Sequence, residues 1–281
     1  MASFARPSAD IARGGWTTQG GATTNLWESL DEETADDADY VISAIGANST
    51  YEVRLSSVAP AVIARDHTLF LRGAKHASGG NEKGVTVSLV QGTTVLGSLD
   101  FPSLPATVTQ QNVAIPRSIA AGITDYADLR IRFTPTGPTT GGGNRRRVVI
   151  TGVALRVPSA VDLVDDLLVR WNIVVESSNG TVTVSRSGFT GEGDNLARAV
   201  WELYQAMKAA GWQNAEVSRR WNIARSLWKH VEYGKLRDRI LTNPTPEDIG
   251  SRTPEEALAR VDRKLANFSV IAKSADAGDP D

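Results

Sequence analysis

A change of texture at Pro158 constrains this chain more than any other feature. Up to Val157, short β-branched runs alternate with clusters of Gly, Pro, Ser, Thr and Asn, and no long amphipathic helix interrupts them. Such punctuation encodes many short strands joined by turns. Strands are expected near Tyr40–Ile45, Tyr51–Leu55, His67–Gly73, Gly84–Val90, Thr94–Leu99, Gln111–Ile115, Ala127–Thr134 and Arg146–Val157. Their spacing points to an antiparallel jelly-roll β-sandwich over residues 1–157. The last pair is the clearest: Leu129, Ile131 and Phe133 alternate with Arg130 and Arg132, while Val149, Val153, Leu155 and Val157 keep the same period of two. One face packs and the other meets water. Between them Pro135–Asn144 reads as a long hairpin loop, and Arg145, Arg146 and Arg147 follow at its base. Three arginines there suit a phosphate or a partner's carboxylates, or simply a solvated loop end that protects an edge strand.

Past Pro158 the pattern becomes mostly helical, giving a mainly β plus α chain with a C-terminal domain over residues 158–272. A helix is expected from Ser159 or Ala160 to Arg170, then a hairpin within residues 171–186 in which Asn179-Gly180 meets the demands of a type I′ turn. On that hairpin Trp171, Ile173 and Val175 face Val182 and Val184. Asp194 or Asn195 caps a helix that Gly211 ends, and another runs from Ala215 to Leu241. Thr253-Pro254-Glu255-Glu256 has the cap, proline and glutamate that open a helix reaching about Phe268, and Thr245-Pro246 opens a short turn in the same way. Gly188–Gly193 reads as a loop and residues 273–281 as a tail.

Composition narrows the function classes. The 281 residues are 41% hydrophobic and 22% charged, as in ordinary globular proteins. The absence of cysteine excludes disulfides, thiolate metal sites and cysteine nucleophiles. A net charge of −2 supplies no field to gather nucleic acid or anionic membrane, so neither partner is expected. The amino terminus has no apolar run resembling a signal peptide, and no stretch of about 18 apolar residues follows; a soluble, unexported product is the expectation.

Candidate contact residues cluster in three places. Five of the seven tryptophans lie past residue 158, and Trp221 and Trp228 share a helix face with Leu227 and Val231. Such a stripe is either core or a surface for a neighbouring subunit. The segment Glu216–Leu241 carries seven basic residues, among them Arg219, Arg220 and Arg225, against three acidic ones. Asp31–Asp39 packs six carboxylates into nine positions, including Asp36, Asp37 and Asp39, too many like charges to bury without compensation. Calcium held by Asp37 and Asp39 is chemically reasonable, but the run lacks EF-hand spacing, and a solvated or ion-paired surface is the preferred reading. Catalytic signatures are missing: there is no nucleophile elbow, phosphate-binding loop, dinucleotide fingerprint or zinc-protease motif. The three histidines, His67, His76 and His230, are scattered and read as packed or surface groups. No catalytic residue, metal or cofactor is assigned.

The pattern Arg6-Pro7-x-x-Asp10, Gly15-Trp16-Thr17, Leu26, Leu30-Asp31-Glu32, Asp36-Asp37-x-Asp39-Tyr40-Val41-Ile42 and Asp125-Tyr126-x-Asp128-Leu129-Arg130-Ile131 resembles a module of tailed-bacteriophage and prophage structural proteins. The resemblance covers about the first 157 residues and implies a jelly roll built into the virion, assembled in the host cytoplasm. It makes the expected function that of a non-enzymatic neck or tail component, homo-oligomeric in the particle, that docks on portal, capsid or tail subunits. A capsid decoration or fibre-base protein is one alternative. A carbohydrate-binding module is another, with Trp16 and Trp27 as candidate sugar platforms, although both contexts look like core anchors. A hydrolase would need a cleft with convergent carboxylates.

Overall fold

A computed structural model of the chain describes residues 3–34, 36–44, 49–76, 83–137, 147–170, 172–211 and 215–277. The chain divides into two compact units, one of residues 2–60 and 65–157, the other of residues 61–64 and 158–281 with residue 1. Residues 61–64, embedded in the β-rich stretch of sequence, thus belong to the helical unit, where Val62 and Ile63 join its core.

The first unit contains β1 (Ser3–Ala5), β2 (Pro7–Ala12), β3 (Thr17–Thr18), β4 (Val41–Ile42), β5 (Tyr51–Leu55), β6 (Thr68–Lys75), β7 (Gly84–Gln91), β8 (Thr94–Phe101), β9 (Thr109–Ala114), a short helix α1 (Arg117–Ala120), β10 (Leu129–Thr136) and β11 (Val148–Val157). A six-stranded antiparallel sheet runs β3-β4-β11-β6-β9 with β1 also on β11, and a five-stranded antiparallel sheet runs β2-β5-β10-β7-β8. Leu69 of the first sheet and Val87, Leu89 and Ile131 of the second line one small internal void, so the sheets face each other across a shared core.

The alternation in β10 does what its period demands. Ile131 and Phe133 pair with Val53 and Tyr51 and are buried, while Arg130 and Arg132 pair with Arg54 and Glu52 on the opposite face. Arg130 opposite Arg54 would repel. Glu52 relieves it, accepting from Arg130 at 3.3 Å and from Arg132 at 2.8 Å, and Asp128 lies 3.2 Å from Arg130. Pro135 stands in β10 paired with Val85, beyond the point where the β5 pairing stops, so its missing N–H breaks no ladder on that side. At the core centre Trp16, Tyr51 and Phe133 form an aromatic cluster with ring centroids 5.7 to 6.1 Å apart, and the Trp16 indole donates to the Ser49 carbonyl at 3.1 Å.

The helical unit comprises α2 (Ala160–Arg170), β12 (Val174–Ser178), β13 (Thr181–Arg186), β14 (Phe189–Gly193), α3 (Leu196–Ala209), α4 (Ala215–Thr242), α5 (Pro246–Ile249) and α6 (Pro254–Ala277). The caps follow the side chains: Ser159 and Asp162 bond each other's backbone N–H ahead of α2, Asn195 accepts from Arg198 N at 3.0 Å, and Thr253 and Glu256 form a reciprocal box. Asn179 and Gly180, at φ 51° and 77°, make the tight turn between β12 and β13. Leu163, Val164, Leu168, Leu203, Ile223 and Leu227 form the main core, and Ile240, Ala257 and Val261 a second one between α4 and α6.

Several expectations need correction. The hairpin is a three-stranded sheet, because Gly188–Gly193 is not a loop: residues 189–193 pair with β13 as β14. The tail begins later than expected, since α6 continues through Ala277. The expected strand at Tyr40–Ile45 shrinks to Val41–Ile42, and β1, β2 and β3 were not foreseen. No helix among the described residues is long and apolar enough to cross a membrane.

Candidate binding face on the six-stranded sheet

The outer surface of the six-stranded sheet is shaped by which side chains its register brings side by side. Opposite one another on neighbouring strands stand Phe4 and Arg156, Ala154 and Phe70, Phe70 and Asn112, Gly152 and Arg72, and Arg72 and Gln110. β11 thus sets only Gly152 and Ala154 beside the large groups Arg72 and Phe70 of β6, with Arg156 next along the strand, opposite Phe4. Neighbouring strands lie about 4.8 Å apart, so two small residues in the middle strand leave a trough. It holds about 260 Å³ and is lined by Phe4, Phe70, Arg72 and Gln110 together with Arg6, Glu32 and Glu33. A register irregularity between Ile150 and Gly152 sets where the small pair falls.

Aromatic and hydrogen-bonding groups converge on this trough. Phe4 is 42% exposed, half-buried Phe70 lies 5.7 Å from it between ring centroids at a tilt of 59°, and the Arg6 guanidinium sits 5.6 Å above the Phe4 ring. Arg6 is anchored in turn by donating to the Glu32 carbonyl at 2.7 Å. Arg72 donates Nε and Nη2 to the two carboxylate oxygens of Asp37, both at 2.7 Å, a fork-to-fork geometry that fixes the guanidinium plane. Exposed Gln110 and Asn112 are joined by a 2.9 Å hydrogen bond that orients both amides.

The charges are balanced inside the face. Arg72 holds the Asp37 carboxyl below the usual carboxylate range. Glu32 is pushed the other way, first by burial and then by the neighbouring carboxylates of Asp39, Asp31 and Asp36. The face therefore offers apolar rings and fixed hydrogen-bonding groups with little net charge.

Of the residues singled out in the sequence, the structure brings Asp37 to this face through Arg72. Asp36 is exposed and accepts from Ala38 N at 2.8 Å, and Asp39 is half-buried near Glu32. Arg147 donates to the Ser43 carbonyl at 3.3 Å, and Arg145 and Arg146 lie outside the described residues. On α4, Arg219 is half-buried, Arg225 is stacked 5.8 Å over Trp201, and Trp228 packs against the helical core. The side chains of Arg220 and Trp221, and all of Trp171, lie outside the described residues. The basic character of α4 is partly cancelled, because Arg237 pairs with Asp262 at 2.8 Å and Arg239 with Asp248 at 3.0 Å. Trp16 is no sugar platform, since its ring is wholly buried, and Trp27 is half-buried over its own backbone link to Asp10. Phe4, Phe70, Gln110 and Asn112 were not singled out in the sequence at all.

No family model and no curated protein matches the chain. Solved structures do. One is the CBM36-1 domain of a multidomain xylanase from the hindgut metagenome of Trinervitermes trinervoides, at 12% identity and TM-score 0.27, over 57% of this chain and 98% of that one. A family 29 carbohydrate-binding module from Piromyces equi matches at 12% and 0.29, over 57% and 94%. A CBM35 from Cellvibrio japonicus matches at 13% and 0.28, over 57% and 99%. The role as a neck or tail component expected from the amino-terminal pattern is corrected here: the matches named fall with the carbohydrate-binding alternative. Likeness at these TM-scores carries no argument about function, which has to come from the face itself.

Proposed function

We propose that the first unit is a non-catalytic carbohydrate-binding module of jelly-roll type, and that a neutral glycan lies in the trough of its six-stranded sheet. The observation that carries this reading is the pair of exposed Phe4 and half-buried Phe70, bordered by Arg72, Gln110 and Asn112 whose planes are already fixed by hydrogen bonds. A pyranose has an apolar C–H face and a rim of hydroxyls, so it needs an aromatic surface together with planar donors and acceptors beside it. Groups held in place before binding lose little rotamer entropy on contact. A neutral ligand fits because the strongest charges of the face, Arg72 and Asp37, already neutralise each other.

The test is affinity electrophoresis of the full chain through gels containing neutral or acidic soluble polysaccharides. At least one neutral polysaccharide is expected to retard the wild type, and Phe4→Ala and Phe70→Ala to weaken retardation by about tenfold or more, an effect of ~1.4 kcal/mol, with melting curves confirming the fold. Retardation by acidic polysaccharides alone, by none, or equally in the variants overturns the reading, as does release of reducing sugar on incubation.

A further inference from the structure

In the helical unit, α2, α3 and α4 enclose a second cavity, of about 320 Å³, unrelated to the sheet face. Its interior is apolar: Val164 and Leu168 of α2 meet the indoles of Trp201 and Trp228. Its mouth is cationic. Among the described residues, Arg198, Arg225 and Lys229 line it against one acid, Asp194. Arg198 is occupied by Glu202 at 2.6 Å. The ion pairs that α4 makes among the described residues belong to Lys235, Arg237 and Arg239, farther along the helix, which leaves Arg225 and Lys229, one turn apart, facing the mouth. Arg225 is also stacked over the Trp201 ring, which sets its plane.

A second observation points to an occupant. The Trp228 Nε1–H is buried and has no hydrogen-bond acceptor. Buried donors are almost always satisfied, so a cavity wall carrying an orphaned N–H calls for a ligand that brings an acceptor. An apolar cavity near the small end of ligand-pocket sizes, with two cations at the mouth and one unmet donor, matches a particular chemistry.

We propose that this cavity binds a small monocarboxylate with an apolar body. The carboxylate takes Arg225, Lys229 and the unmet Trp228 N–H, and the body lies against Val164, Leu168 and the faces of the two indoles. A carboxylate matches the guanidinium fork, and its single charge costs less to withdraw from water than the double charge of a phosphate monoester.

The experiment titrates the full chain with octanoate, octanol and octyl phosphate, following tryptophan fluorescence and the indole N–H resonances by NMR, the Trp228 signal being assigned with Trp228→Phe. Octanoate is expected to saturate, to shift the Trp228 signal, and to bind about tenfold or more tighter than octanol. The double variant Arg225→Glu, Lys229→Glu is expected to abolish that preference while octanol binding and the circular dichroism spectrum stay unchanged. The inference is overturned if octanol or octyl phosphate binds as tightly as octanoate, if no ligand saturates, or if the preference survives in the double variant.

Discussion

His67 Nε2 lies 2.8 Å from the Tyr126 hydroxyl inside the first unit, with the two rings 5.9 Å apart and nearly stacked. The other ring nitrogen faces the Arg65 carbonyl at 3.1 Å and must carry the proton to bond it, so Nε2 accepts from the Tyr126 O–H. The imidazole is neutral, and burial lowers its pKa from 6.5 to about 4. Below pH 6.5 the unfolded chain takes up a proton that the folded chain refuses. The stability from this group is therefore complete above pH 6.5, falls progressively toward pH 4, and changes no further below it. The loss is bounded by roughly 3 kcal/mol, at 1.36 kcal/mol per pKa unit. Urea unfolding at pH 7.5 and 4.5 checks it: His67→Phe should flatten the difference between the two conditions, and an equal difference in the variant excludes His67 as its source.

Asp10 organises the entry to the same unit. Its carboxylate accepts from Leu26 N and Trp27 N, both at 3.0 Å, and from the Tyr51 hydroxyl at 2.8 Å. Burial, and then Asp10, raises the Tyr51 pKa, so the phenol stays a donor at any ordinary pH. Asp10→Ala orphans three donors and is expected to cost about 3 kcal/mol, Asp10→Asn less, and Tyr51→Phe about 1 to 2 kcal/mol. Chemical denaturation of the three variants checks the order. A Tyr51→Phe loss as large as that of Asp10→Ala would show that the turn at Leu26 holds without the carboxylate.

These two sites show what the sequence disclosed and what it hid. Asp10, Trp16, Leu26 and Tyr126, all part of the amino-terminal pattern, turn out to hold the fold: a hub, two core side chains and a partner for His67. The pattern was informative about architecture and misleading about role. The alternation in β10 was legible because one of its faces is packed. β1 and β3 were not, being too short to show a period, and β2 begins with a proline and strays from register twice. The trough was hidden for another reason. Phe70 stands in an apolar run, Leu69-Phe70-Leu71, and only the pairing with β11 shows that it turns outward onto Ala154 while its neighbours turn in.

The misread glycine run makes a prediction of its own. A Cβ on Gly191 would come within 2.2 Å of both Ala199 O and Leu203 N on α3, so the residue is there to let β14 approach the helix backbone. Neither backbone atom can move aside without the helix moving. Gly191→Ala is expected to destabilise the helical unit by about 2 kcal/mol or more, leaving amide exchange in the first unit unchanged. Protection of α3 amides at wild-type levels would refute the close approach.

The trough can also be tested by adding atoms rather than removing them. A Cβ on Gly152 meets nothing closer than Arg72 Cβ at 3.9 Å, an ordinary contact, so a larger side chain is accommodated and extends along the floor. Gly152→Leu should leave the melting temperature within about 4 °C of the wild type, a change of ~1 kcal/mol or less. It removes no ring and no hydrogen-bonding group, yet it fills the floor of the trough that a sugar ring requires, opposite Arg72 and beside the aromatic pair. Retardation by a neutral polysaccharide is therefore expected to fall by about tenfold or more, as in Phe70→Ala but through the opposite change in volume. Unaltered retardation in a folded Gly152→Leu protein would place any glycan on another surface, even if the aromatic variants were impaired.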